Sequence, residues 1–87
     1  MNEEHIKKIK QLLTEWNPLG DRSTLVSDLN NYETEAIDIL FFIDNKSSID
    51  IINKITNEVL SQAFNIFIDL NDSRKYAEKI KKILNNK

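Results

Sequence analysis

The sequence has no cysteine, one glycine, one proline, one tryptophan and one histidine in 87 residues. Each scarcity excludes something. Without cysteine there is neither a disulfide nor a thiolate metal site. With so little glycine and proline, the many tight turns of a small sandwich or barrel cannot be built. A nucleophilic triad needs a base beside the nucleophile, and His5 is the single imidazole. No glycine-rich loop is present to cradle a phosphate, and no Asp/Asn-rich loop has calcium-binding spacing. No run approaches the roughly 18 apolar residues of a membrane span. The opening segment, MNEEHIKKIK, lacks the apolar stretch of a signal peptide. These absences predict a cytoplasmic protein, not an enzyme, with no cofactor, no metal and no place in a membrane.

What is present is helix-forming and unevenly charged. Apolar residues make up 40%, enough for one core and too many for disorder. A chain of 87 residues is one domain, residues 1–87. The net charge is −2, with a pI near 5.3. Residues 21–50 hold seven acids against two bases, a net of −5, whereas residues 73–87 hold six bases against one acid, a net of +5. Lysines closing a last helix favour its negative dipole end. Arg74, Lys75, Lys79, Lys81 and Lys82 are also enough cations for a phosphate footprint. An acidic chain without a reader motif weighs against nucleic acid as the partner.

The periodicity predicts an all-α, compact four-helix bundle, with helices at about 3–16, 31–44, 48–64 and 72–84. Ile6, Ile9, Leu13 and Trp16 stripe the first, which Pro18 stops. A long loop, 17–30, follows; its Leu19, Leu25, Val26 and Leu29 are expected to pack back on the bundle. Asn30 or Asn31 is the expected cap of the second helix. Ser47 or Ser48 should cap the third, whose buried stripe reads Ile52, Ile55, Val59 and Ala63. Residues 64–70 read as a helix end and an extended apolar linker. Asn71, Asp72 or Ser73 should cap the last helix, striped by Tyr76, Ala77, Ile80, Ile83 and Leu84.

The second helix organises the rest. Tyr32, Ala36, Ile39, Leu40 and Ile43 share its core side, widened by Ile37 and Phe41. Thr34, Glu35 and Asp38 form a narrow polar sector, and Phe42 lies four residues beyond Asp38 in that sector. Paired carboxylates here read as solvated surface, because helical carboxylate metal sites draw on several helices and Glu-x-x-His motifs. An exposed Phe42 beside acids has the composition of an interface anchor. Trp16 reads as a core cap with its N–H bonded to a carbonyl, and Pro18 and Tyr32 likewise read as structural.

Trp16-Asn17-Pro18, a dozen loop residues, then Tyr32-Glu33-Thr34-Glu35 resembles the YugE-like family of small bacterial helical proteins. Those run helix, W-D-P turn, Y-x-x-E helix, an apolar third helix and a last helix similar to Tyr76-Ala77-Glu78-Lys79-Ile80. Asn17 departs from the family's usual Asp. The resemblance implies the fold and leaves activity open. Such proteins are also similar in kind to immunity proteins of contact-dependent inhibition and related polymorphic toxin systems.

From these features the expected function is an immunity protein that binds and neutralises a cognate toxin, a basic nuclease domain, as a monomer. The expected contact set is Asp28, Glu33, Glu35, Asp38, Phe42 and Asp44. The alternatives are a YugE-like housekeeping or regulatory interaction protein without a toxin, and a weak nucleic-acid binder through the basic C-terminal helix.

Overall fold

The computed structural model describes residues 2–25 and 29–85, with the backbone alone for Arg22 and Leu25. It is the expected all-α bundle of four helices: α1 Glu3–Trp16, α2 Glu33–Phe42, α3 Ile49–Phe64 and α4 Leu70–Asn85. Two short 3-10 segments, Gly20–Leu25 and Asn30–Tyr32, lie within the long connection. Among the described residues, no helix is long and apolar enough to cross a membrane.

Helix α1 begins at Asn2, whose side chain accepts from the N–H of Glu4 (2.8 Å) and of His5 (3.2 Å). It ends on Asn17, left-handed at φ 50°, whose N–H reaches the Leu13 carbonyl at 2.7 Å. Ile9, Leu12 and Leu13 enter the core, and Leu19 packs back as expected.

The start of α2 differs from the periodicity. Asn30, Asn31 and Tyr32 are all left-handed, at φ 47°, 57° and 65°. They form one left-handed turn, with Tyr32 N–H bonded to Leu29 O at 2.9 Å and Glu33 N–H to Asn30 O. Right-handed helix therefore begins only at Glu33, and neither asparagine caps it. The Asn30 amide instead donates to the Glu33 carboxylate at 2.6 Å. At the other end, Ile43 turns extended and buried. Asp44 then organises a turn, accepting from Lys46 N–H at 2.8 Å.

Ser48 caps α3, accepting from Ile51 N–H at 3.2 Å. Its buried face is rotated from the expected one: Ile52, Asn53, Thr56 and Leu60 are buried, Ile55 and Val59 flank them, and Ala63 is exposed. The cause is residues 66–70, which run back along α3 and cover the flank bearing Asn53 and Asn57. The cap of α4 is Asp69, earlier than expected. Its carboxylate accepts from Asn71 N–H at 2.7 Å, and its carbonyl from Asp72 and Ser73 N–H. Ser73 is thereby free to turn inward, fully buried against Asn53. Ala77, Ile80 and Leu84 complete a single core with Tyr32, Ala36, Ile39, Leu40 and Ile43 of the α2 region.

Candidate protein-interaction face

Helix α2 is apolar on two sides. Tyr32, Ala36, Ile39, Leu40 and Ile43 face the core, as the wheel predicts. Thr34, Ile37, Asp38, Phe41 and Phe42 are exposed. Those positions step by three, one, three and one, so they form one continuous outer stripe. Phe41 is 72% exposed and Phe42 61%, and their rings meet edge to face with centroids 5.1 Å apart. Phe41 and Ile37 thus widen the outer face, not the core stripe. The spacing of residues 34, 37, 38, 41 and 42 carried this signal, but a helix apolar all round gives no cue to which stripe is covered.

The expected contact residues divide. Asp38 and Asp44 are exposed near Phe42 in the chain. Glu33 is half-buried and already engaged, with Lys10 at 3.4 Å and Asn30 at 2.6 Å. Glu35 is 8% exposed, so it leaves the surface acid pair expected with Asp38. Its side chain belongs to the inner face beside Tyr32, four positions from Ile39. Asp28 lies outside the described residues, as does Val26. Helix α2 holds no base, so the charge on its outer stripe is acidic only, beside the two aromatic rings.

The residues read as structural form a knot at one end of the bundle. The Tyr32 hydroxyl donates to Asn17 Oδ1 at 2.7 Å and accepts from Leu19 N–H at 3.4 Å. Asn17 Nδ2 donates to Gly20 O at 3.2 Å, closing the turn around Pro18. Burial pushes the Tyr32 phenol above its usual 10.0; the Leu19 N–H opposes this, and the nearby Glu35 charge adds to it. Tyr32 also meets Phe64 edge to face at 5.9 Å. Trp16 stacks on Tyr76, centroids 4.1 Å apart and planes 10° apart. Its indole makes no carbonyl bond among the described residues, so stacking holds it where a hydrogen bond was expected.

The basic helix is largely committed inside the molecule. Arg74 pairs with Asp50 at 2.5 Å, which holds its guanidinium above the usual value. Lys81 donates to the carbonyls of Asn45 (3.0 Å) and Ser47 (2.6 Å), pinning the α2–α3 turn. Lys79 lies over the Tyr76 ring at 5.4 Å. Arg74, Lys75, Lys79 and Lys82 are all exposed, and Lys81 is half-buried. Among the described residues, no three His, Cys, Asp or Glu side chains converge as a metal site.

The family model described as Domain of unknown function (DUF1871) matches residues 8–87, and the chain belongs to that family. The match takes in the Trp16-Asn17-Pro18 loop, Tyr32 and the whole of α2. No curated protein and no solved structure matches the chain.

Proposed function

We propose that this is a non-enzymatic protein-binding module whose docking face is the outer stripe of α2 with Asp44. The observation that carries the reading is the exposed pair Phe41 and Phe42 on a helix without a base. Burying either ring at an interface is worth about 1.5–3 kcal/mol. The surrounding acids select for a partner with an apolar hollow and a basic rim, and long-range attraction speeds the encounter. Within that class the partner is a cognate toxin with a basic nuclease-like domain, and the protein is its immunity partner.

The test is affinity capture from the native cells with the natural chain and with Phe41→Ser/Phe42→Ser, washed at low and high salt. The reading expects a stoichiometric basic partner, weakened by salt, absent from the double variant, and toxic to cells unless the natural chain is co-expressed. A partner held equally by both chains removes α2 from the interface. A partner lost by the variant but harmless when expressed alone favours the housekeeping interaction protein.

A further inference from the structure

Helices α2 and α4 sit diagonally in the bundle. Each packs on α1 and α3, and among the described residues the two do not touch. Their outer faces therefore point away from each other, and the charges separate with them. The outer face of α4 carries Lys75, Lys79 and Lys82, all exposed. Steps of four and three residues put them in one row, opposite the buried Ala77, Ile80 and Leu84. The row is about 10.5 Å long. Arg74 and Lys81 are not part of it, because Asp50 and the Asn45 and Ser47 carbonyls hold them. Among the described residues, neither Lys75 nor Lys82 has an ion-pair partner. Of the two acids in α4, Glu78 acts on Arg74, and Asp72 belongs to the first turn, ahead of the row. Helix α1 adds a fourth cation. It runs antiparallel to α4, with Trp16 stacked on Tyr76 near the start of α4. Towards the other end, Lys8 lines one hollow with Lys82, Ile83 and Asn85, and among the described residues no acid lines it. Lys8 reaches Glu4 at 3.9 Å, an exposed pair of little strength.

We propose that the outer face of α4, with Lys8, binds the sugar–phosphate backbone of a nucleic acid. Charge complementarity asks for an anion, and the spacing selects which. A nucleic-acid strand advances about 3.4 Å per phosphate, so a row of about 10.5 Å spans about three phosphates, one for each lysine. An extended acidic peptide turns only alternate side chains to one face, about 6.6 Å apart, and offers that row about two carboxylates. Lysine meets phosphate as a point charge on a flexible stem, so the row needs no fixed fork geometry. The contact is not base-specific. Trp16 stacks on Tyr76 and Lys79 lies over the same ring at 5.4 Å, so Tyr76 offers no open face for a base. Phosphate contacts of this kind position a strand without reading it. The overall acidity of the chain does not oppose them. The acidic stripe lies across the bundle on α2, and the bundle measures 19 Å even along its shortest axis. That is more than twice the Debye length of about 8 Å at physiological salt. The α2 face stays uncovered, so this inference stands or falls independently of the function proposed above.

Fluorescence anisotropy with a labelled single-stranded oligonucleotide, repeated with its duplex, tests this between about 50 and 200 mM salt. Four phosphate contacts predict that log K falls with log salt at a slope of about −2.8 for the single strand and about −3.6 for the duplex. Affinity should then drop about 50- to 150-fold across that range. Lys75→Gln/Lys79→Gln/Lys82→Gln keeps good helix formers at exposed positions, and circular dichroism checks its fold. It leaves Lys8 alone, so the slope should flatten to about −0.7 or −0.9. Should the triple variant not fold, Lys79→Gln/Lys82→Gln should flatten the slope by about 1.5. Lys54→Gln on α3 and Phe41→Ser/Phe42→Ser on α2 should leave it unchanged. The arm that binds tighter assigns the ligand as single strand or duplex. No binding at the lowest salt overturns the proposal. So does a slope that the α4 variants leave unaltered, one that Lys54→Gln flattens equally, or polyglutamate of the same charge held as tightly.

Discussion

The Tyr32 hydroxyl donates to Asn17 Oδ1 at 2.7 Å, joining the residue that ends α1 to the residue that starts α2. The two residues are 15 positions apart in the chain. This bond closes the long connection, and with it the left-handed turn that sets the direction of α2. Left-handed backbone costs about 1–2 kcal/mol per non-glycine residue. Asparagine tolerates it better, which suits Asn30 and Asn31. Tyr32 does not, and its burial and two hydrogen bonds offset that cost.

Tyr32→Phe should therefore destabilise the fold by about 1–2 kcal/mol, because Asn17 Oδ1 and the Leu19 N–H lose their partner. For a domain this size, that is a fall in melting temperature of roughly 5–15 °C. Thermal melts followed by circular dichroism read it. An unchanged midpoint would show that the phenol bond contributes nothing to closing the loop.

The same phenol gives a pH dependence. Its folded value lies above the ordinary 10.0, chiefly through burial. The folded state thus keeps its proton longer than the unfolded state. The stabilisation is fully present below pH 10 and is lost as pH rises through the folded value. Denaturant midpoints of the natural chain should fall more steeply above pH 10 than those of Tyr32→Phe. Parallel curves would mean that the phenol titrates no differently in the two states.

Two acids three residues apart should behave oppositely. Glu35 is buried and Asp38 exposed. Glu35→Ala should cost about 1–3 kcal/mol, because Glu35 is buried and engaged, and its loss leaves the group it engages without that interaction in a closed site. Asp38→Ala should stay within about 0.5 kcal/mol. Urea midpoints of the two variants, measured side by side, check the ordering. Equal effects would contradict their different placement.

The Asn57 amide is bonded to the Ile68 carbonyl at 2.7 Å and is within 3.4 Å of Ser73 Oγ. Asn57→Ala should leave the Ile68 carbonyl without its partner, while Ser73 keeps its bond to Asn53, and should cost about 1–3 kcal/mol. Amide exchange should speed up in the first turn of α4, which the clamped segment positions. Unaltered exchange there would show that Asn53 alone suffices as a clamp.

Much of this fold is legible in one dimension. The ends of α1 and α3, the cap at Ser48 and the core stripes of α1, α2 and α4 follow from helical spacing and cap chemistry. Those are local effects, carried by residues a few positions apart. The left-handed turn at Asn30–Tyr32 is different. It exists because Tyr32 reaches Asn17 across the loop, a contact without a local signature. The rotated face of α3 and the early cap at Asp69 have the same origin: residues 66–70 lie on Asn53 and Asn57. The candidate site divides along the same line. Sequence placed an aromatic residue and acids together on α2, and the family match extends over that helix. Only tertiary packing decided that Glu35 turns inward while Phe41 turns out. A helix apolar on both sides can bury either, and the choice falls to whichever side α1 and α3 cover.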